Sequence, residues 1–176
     1  MSAEPILSAS RPLESYLPEI QSLLQEVIRA GGFELKAAVR KAAPPDYAGE
    51  VPQYVVDLSG PDSDLLLEKH AALLDAFEYV VLKAVRLEEA HLGKIIFDCE
   101  DWRRLRNEEL KLTAEVAAER VIETGDPFAL NPMNPRERRI IHLALKEQPR
   151  VRTVSEGFGP ERKVVIHPAS PPAGKR

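Results

Sequence analysis

Apolar residues recur along the chain with two different periods, and these periods predict an alternation of helices and strands. From Leu13 to Ala30 they lie three to four positions apart, which is the spacing of one helix face. Gly31-Gly32 then ends the helix. The other predicted elements are strands over 33–43 and 51–59, a helix capped by Asp62-Ser63-Asp64, a short strand over 94–98, a long helix over about 101–124, a helix from Asn134 and two strands around Gly157–Pro160.

This order of elements predicts an α+β fold made of two small α/β sandwich modules joined by a long helix. The first module is expected over 13–100, and the second, including the long helix, over 101–168. Residues 1–12 are expected to form a flexible lead, and the Pro-rich residues 169–176 a flexible tail. The long helix carries Leu105, Leu112, Val116 and Val121 as its apolar positions.

The helix that begins after Asn134 combines strong start signals with a basic face. Asn134 suits the N-cap, Pro135 suits the first helical position, and Glu137 stands where a capping box places an acid. At about 100° per residue, one face gathers four basic side chains: Arg138, His142, Arg139 and Lys146. Ile140 and Ile141 lie on the remaining surface with Leu143, Ala144 and Leu145, which predicts that this side packs on a core.

The net charge of −4 hides an uneven distribution. Residues 1–101 carry 9 Lys+Arg and 18 Asp+Glu, a charge of −9, and residues 102–176 carry 15 and 10, a charge of +5. A polyanionic ligand is therefore expected to prefer the C-terminal part. Cys99 is the only cysteine, which excludes an intramolecular disulfide and favours the cytoplasm. No apolar run is long enough to span a membrane, and no secretory leader is expected, because Met-Ser-Ala-Glu-Pro lacks the basic flank and apolar core of a signal peptide.

The residues from Pro132 to His142, Pro-Met-Asn-Pro-Arg-Glu-Arg-Arg-Ile-Ile-His, resemble the Arg-x-x-x-His (R-three-H) domain of single-stranded nucleic-acid binders. The resemblance is closest to the bacterial Jag family, the SpoIIIJ-associated proteins. It continues through Val151-Arg-Thr-Val-Ser-Glu-Gly157 and Arg162-Lys-Val-Val-Ile166. An Arg and a His one turn apart are weak evidence alone, because such a pair often only packs locally. The Pro-Met-x-Pro before the pair and the Ser-Glu-Gly after it make the resemblance specific.

The first module resembles the KH domain that precedes the Arg-x-x-x-His domain in Jag proteins. The resemblance runs through Val55–Gly60, Asp75–Tyr79 and Ile95–Asp98. KH domains bind nucleic acid with a Gly-x-x-Gly loop, but Glu68-Lys-His-Ala71 stands at that position here. Side chains replace both glycines and one of them is acidic, so we expect a degenerate KH-like domain that stabilises its neighbour or binds a protein. Without these glycines, the two helices around the loop are free to fuse.

The resemblance implies a non-catalytic protein that binds single-stranded RNA or DNA, with RNA favoured in the bacterial branch and post-transcriptional control as the implied process. The implied contacts are a phosphate at Arg138, a hydrogen bond or stacking at His142, and a wider positive surface from Arg139, Arg136, Lys146 and Arg152. Trp102-Arg-Arg-Leu-Arg106 is either a further contact or, as we favour, a core-facing Trp with solvated arginines.

Catalytic and cofactor-binding patterns are missing from the sequence. It has no P-loop, no dinucleotide-binding glycine pattern and no ordered catalytic triad. His70, His91 and His167 do not have metal-ligand spacing, so neither a metal nor a cofactor is expected. The alternative to nucleic-acid binding is an adaptor for protein partners that has lost that activity in both modules.

Overall fold

The computed structural model describes residues 11–43 and 52–169, which form two compact units. The first unit contains residues 11–43 and 52–102, and the second contains residues 103–169. Most of the predicted lead and tail lie outside the described residues. Helices and strands occur in both units, as the predicted α+β class requires.

The first unit combines helices with a three-stranded sheet. Its elements are a 3-10 turn over Leu13–Tyr16, α1 over Leu17–Gly31, β1 over Lys36–Lys41, β2 over Tyr54–Ser59, α2 over Ser63–Ala84, a 3-10 turn over Glu89–His91 and β3 over Ile95–Cys99. The sheet order is β1-β2-β3, with β1 antiparallel and β3 parallel to β2. The parallel pair explains why a long helical crossover separates β2 from β3.

The core of the first unit contains one face of α1 and the strand β3, which is buried along its whole length. Ile20, Leu24 and Ile28 form the buried face of α1, as their spacing predicts. Every residue of β3 is buried, including Cys99, and burial raises the pKa of its thiol. Strands buried on both faces are expected to be continuously apolar, as Ile95-Ile-Phe97 is.

Helix α2 is interrupted at Glu68–Ala71, where the Gly-x-x-Gly loop was expected. Glu68 is extended at φ −57° and ψ 150°, and Lys69, His70 and Ala71 follow with φ values of 51°, 58° and 59°. The two helical halves therefore do not fuse into one regular helix. The chain keeps a sharp left-handed turn here although none of these residues is glycine, which costs backbone energy. The predicted cap is also wrong in detail, because the Asp62 carboxylate accepts from the Glu34 backbone N–H at 2.7 Å instead of capping α2.

The second unit packs two helices against an antiparallel sheet. Helix α3 spans Trp102–Thr124 and begins at the last residue of the first unit. The other elements are β4 over Phe128–Ala129, α4 over Pro135–Ala144, β5 over Val151–Glu156, a 3-10 turn over Gly159–Glu161 and β6 over Lys163–Pro168. The sheet order is β4-β6-β5. The sequence did not predict β4, because two residues are too short to show a period. Helix α4 and the strands β5 and β6 are the elements expected around Asn134 and Gly157–Pro160.

Helix α3 buries a different face from the one that its large apolar residues indicate. Its core positions are Leu110, Ala114, Ala117, Ala118 and Val121. Leu105, Leu112 and Val116 are each more than half exposed, so of the predicted apolar positions only Val121 is buried. Three of these five core positions are alanines, and small side chains contribute little to a pattern based on hydrophobicity. Leu143 of α4 is likewise exposed, contrary to expectation.

Candidate nucleic-acid interface

The start of α4 has the predicted capping box. The Asn134 side chain accepts from the Glu137 backbone N–H at 2.9 Å, and the Asn134 N–H donates to Glu137 Oε2 at 3.2 Å. Pro135 is the first helical residue and needs no donor there. The cap fixes where α4 begins and therefore which residues lie on its exposed side.

The other carboxylate oxygen of Glu137 fastens α4 to α3. Arg106 Nε donates to Glu137 Oε1 at 2.7 Å, and Arg106 Nη1 donates to Glu109 Oε2 at 2.8 Å. Glu137 is only 5% exposed, so this ion pair is largely shielded from water. Arg106 is thus held in an ion pair, and Arg103 is buried. The prediction of solvated arginines in Trp102–Arg106 is therefore wrong at both positions. Trp102 packs against the core of the first unit, as we favoured.

Arg138 and His142 meet at one serine of β5. Arg138 Nη1 donates to Ser155 Oγ at 3.2 Å, and His142 Nε2 lies 2.9 Å from the same oxygen. The other ring nitrogen, Nδ1, lies 2.6 Å from Thr153 Oγ1. Thr153 and Ser155 are two positions apart on a strand, so both side chains point to the same face of the sheet, toward α4. One turn of helix and two alternate strand positions thereby form a single hydrogen-bonded group.

His142 is held neutral by its surroundings. Burial lowers the pKa of its imidazole, and the nearby positive charge of Arg138 lowers it further. A neutral ring donates at one nitrogen and accepts at the other, which suits two hydroxyl partners. Because both nitrogens already have partners within the protein, the geometry favours a role in positioning Arg138 and β5 over direct contact with a ligand.

Arg138 carries a half-buried charge that no acidic side chain compensates within the described residues. Its Nε is buried without a hydrogen-bond partner there, and of its five N–H donors only one, on Nη1, is bound, to Ser155. Removing a charge from water costs energy unless another charge or hydrogen bonds offset it. An anion bound at Arg138 would supply that compensation.

The remaining predicted site residues separate into two groups. Arg136 and Arg139 lie on α4 beside Arg138, with Arg139 exposed. Helix α4 ends at Ala144, so Lys146 does not extend the helical face as predicted, and its Nζ lies 3.9 Å from Glu147. Arg152 alternates with Thr153 and Ser155 and thus faces the opposite side of the sheet. Lys146 and Arg152 are therefore not brought into the group around Arg138.

Sequence reasoning missed Thr153 and Ser155, the residues that position the Arg–His pair. The pattern Thr-x-Ser in a strand next to an Arg-x-x-x-His helix was available as an indication, because alternate strand residues share a face. The sequence pattern does not show that α4 packs against β5, because this contact depends on the tertiary fold.

Two features are absent from the part of the chain that the structure describes. It contains no group of three or more His, Cys, Asp or Glu side chains able to hold a metal ion. Among the same residues, no helix is long and apolar enough to cross a bilayer.

Comparison with known proteins assigns the class of the second unit. Residues 108–168 match the R-three-H domain, so the arrangement of Arg138, His142 and β5 lies within a domain of that type. The match begins inside α3 and ends with β6, and it therefore contains the whole capped helix and its hairpin.

The whole chain also resembles curated bacterial proteins. It is 30% identical over 166 residues to RNA-binding protein KhpB of Clostridium symbiosum, covering 94% of this chain and 72% of the relative. It is 35% identical over 102 residues to KhpB of Lactiplantibacillus plantarum, 58% of this chain and 32% of the relative. With KhpB of Bacillus subtilis it shares 31% identity over 111 residues, 62% and 53% of the two chains. The chain belongs to the KhpB family, which confirms the predicted Jag resemblance.

Proposed function

We propose that this chain is a non-catalytic cytoplasmic protein that binds single-stranded RNA through its second unit. Arg138 makes the main phosphate contact, and Arg136 and Arg139 widen the positive surface around it. His142 and Ser155 position the Arg138 guanidinium. The relatives described above bear the name RNA-binding protein, which supports RNA over DNA as the ligand.

One observation carries this proposal: the charge of Arg138 has no acidic partner among the described residues although it is partly buried. Guanidinium groups suit phosphate because their N–H donors form a planar fork. A structural arginine at a helix surface ordinarily pairs with a carboxylate, as Arg106 does with Glu137. Arg138 instead has a hydroxyl partner, which fixes its direction and leaves its charge available.

We further propose that the first unit is a KH-like domain without a nucleic-acid-binding loop of its own. Residues 1–101 carry a charge of −9, which opposes a polyanion. The turn at Glu68–Ala71 presents Cβ atoms and one carboxylate where a phosphate backbone would need bare peptide groups. This unit is the part of the chain more suited to a protein partner.

A direct titration tests the proposed function. The full chain is added to a short unstructured RNA labelled with a fluorophore, and anisotropy is followed beside the same RNA annealed to its complement. We expect saturable binding that is tighter for the single strand and weakens as salt is added. A full chain that stays folded and fails to bind the single strand at low salt would contradict the proposal and favour a protein-interaction adaptor.

A further inference from the structure

Phe158 is 91% exposed, more than any other large apolar side chain in the described residues. Single apolar residues at a surface are common and need no explanation by themselves. Phe158 is of interest because of its position in the second unit. It lies in the turn between β5 and β6, three residues after Ser155, the serine that Arg138 and His142 share.

The backbone of the turn that carries Phe158 is closely packed. Strands β5 and β6 are paired up to Glu156 and Lys163, so the backbone on either side is fixed. Gly157 has φ +88°, and a Cβ there would meet the Glu161 carbonyl oxygen at 3.0 Å and Arg162 Cα at 3.4 Å. Phe158 itself is extended, at φ −133° and ψ 153°. The tight glycine turn therefore presents the aromatic ring from a defined backbone.

The same end of the hairpin lies beside the start of α4. The Met133 N–H donates to the Arg162 carbonyl at 3.1 Å, which joins the segment before α4 to the hairpin turn. Three residues of extended chain span at most about 10 Å, which limits the distance between the Ser155 and Phe158 backbones. Successive phosphates of a stacked strand advance by about 3.4 Å, so that distance corresponds to a few nucleotides.

The charges around the turn distinguish stacking from phosphate binding. Glu156 and Glu161 balance Arg162 and Lys163, and the Glu156 carboxylate lies 3.3 Å from His167 Nε2. The turn is thus close to neutral and offers an exposed ring, and the uncompensated cation lies on α4. An aromatic ring next to a cationic surface is the combination by which single-stranded nucleic acids are held, with bases stacked and phosphates paired.

We propose that Phe158 stacks on a base of the RNA strand whose phosphate Arg138 contacts. This inference rests on the proposed function and adds a second point of attachment to the same site. Every base has an aromatic face, so the contact favours single strands, whose bases are accessible, without requiring a particular sequence.

Substitutions at Phe158 in the full chain separate stacking from mere apolar contact. With a labelled single-stranded RNA, Phe158→Ala is expected to weaken binding about 5- to 150-fold, the range for loss of one stacked base. Phe158→Leu should weaken it comparably, because leucine is apolar without a stacking face, and Phe158→Tyr should bind like the parent. Tyr79→Ala is the matched control, since it removes another exposed aromatic side chain from the first unit.

Two further readouts assign the loss to a base. The salt dependence of binding should be the same for Phe158→Ala and the parent, because no phosphate contact is lost. On an RNA of the same length with abasic positions throughout, the two proteins should bind equally. Equal affinity of Phe158→Ala and the parent for ordinary RNA would overturn the stacking role and leave the Arg138 site standing. Failure of the folded parent to bind any RNA would instead overturn the proposed function, and the stacking role with it.

Discussion

At the scale of single residues, one hydroxyl group links the two members of the Arg-x-x-x-His pair. Ser155 Oγ lies within hydrogen-bond distance of both Arg138 and His142, and Thr153 holds the far side of the imidazole ring. Both imidazole nitrogens therefore have partners within the protein, whereas Arg138 uses one N–H donor on Ser155 among the described residues. The hydrogen bonds of His142 to both hydroxyl groups require a neutral imidazole ring, because a protonated ring cannot accept a hydrogen bond.

This condition predicts a pH dependence of stability. A histidine in the unfolded chain titrates near pH 6.5, and burial together with Arg138 lowers the pKa of His142 in the folded chain. Between these two pKa values the unfolded state binds more protons, so the His142 contribution to stability is lost as the pH falls below about 6.5. His142→Gln keeps a neutral donor and acceptor and should lose less stability than the parent between about pH 7.5 and about pH 5.5.

Urea unfolding of both proteins at the two pH values measures this difference. His70→Gln serves as the control, because His70 is an exposed histidine of the first unit. An equal loss of stability in the parent and in His142→Gln would show that His142 is not held neutral by the fold.

The sequence predicted that Arg138 and His142 lie on one side of a helix, and their contact with a ligand stays a prediction. Local spacing was enough to place both side chains on one side of a helix, because helical geometry is the same in every fold. Lys146 and Arg152 lie apart from this pair for different reasons. The helix ends two residues before Lys146, and strand alternation turns Arg152 away from Ser155. Helix ends and sheet faces depend on tertiary packing, which no short window of sequence contains.

At the scale of elements, the ion pair between Arg106 and Glu137 joins α3 to the start of α4. Arg106→Ala leaves the Glu137 carboxylate buried with only the Asn134 N–H at its other oxygen. Removing one partner of a buried ion pair should lower the free energy of unfolding by about 3 kcal/mol. Glu108→Ala, which breaks the exposed pair with Arg104, should cost less than about 1 kcal/mol. Chemical denaturation measures both, and similar losses would show that Arg106 is not specially linked to α4.

Glycine substitutions in the interrupted part of α2 are expected to raise the stability of the protein. Lys69 and His70 adopt the left-handed conformation that glycine adopts without cost. After allowing for the added freedom of the unfolded chain, Lys69→Gly with His70→Gly should raise the free energy of unfolding by about 1 kcal/mol. Ala76→Gly, in the regular part of the same helix, should lower it by about 1 kcal/mol.

The two glycine substitutions also test the first unit as a ligand site. RNA affinity should stay within about twofold of the parent, because Glu68 and Ala71 still replace the two glycines and each tenfold change needs about 1.4 kcal/mol of new interaction. A large gain in affinity at similar stability would mean that the side chains of Lys69 and His70 had kept this unit from binding RNA.

The helices and strands were largely predictable from the sequence. The main exceptions are the buried face of α3 and the strand β4. The capping box at Asn134 and the core face of α1 follow from local rules, and both agree with the structure. The face of α3 was predicted from leucine and valine but is buried largely through alanines, whose small side chains contribute little to a hydrophobic pattern. Strand β4 forms only because β6 offers it an edge. Its existence depends on residues far away in the sequence.

At the scale of the whole molecule, charge is divided between the two parts of the chain. The −9 of residues 1–101 and the +5 of residues 102–176 predict that RNA affinity resides mainly in the second unit. A fragment of residues 103–169 should keep most of the binding of the full chain, provided that circular dichroism and a cooperative melt show it folded. If residues 11–102 alone, equally folded, bound RNA as well as the full chain, the division of roles would be reversed.

The salt dependence of RNA binding tests the proposed phosphate contact at Arg138. Each phosphate contact with a single strand contributes about −0.7 to the slope of log affinity against log salt. Arg138→Ala should therefore weaken binding to unrelated single strands alike and flatten the slope by about 0.7. Arg29→Ala, which removes one exposed cation from α1, changes the net charge equally and should leave the slope unchanged. A slope for folded Arg138→Ala equal to those of the parent and Arg29→Ala would contradict a phosphate contact at Arg138.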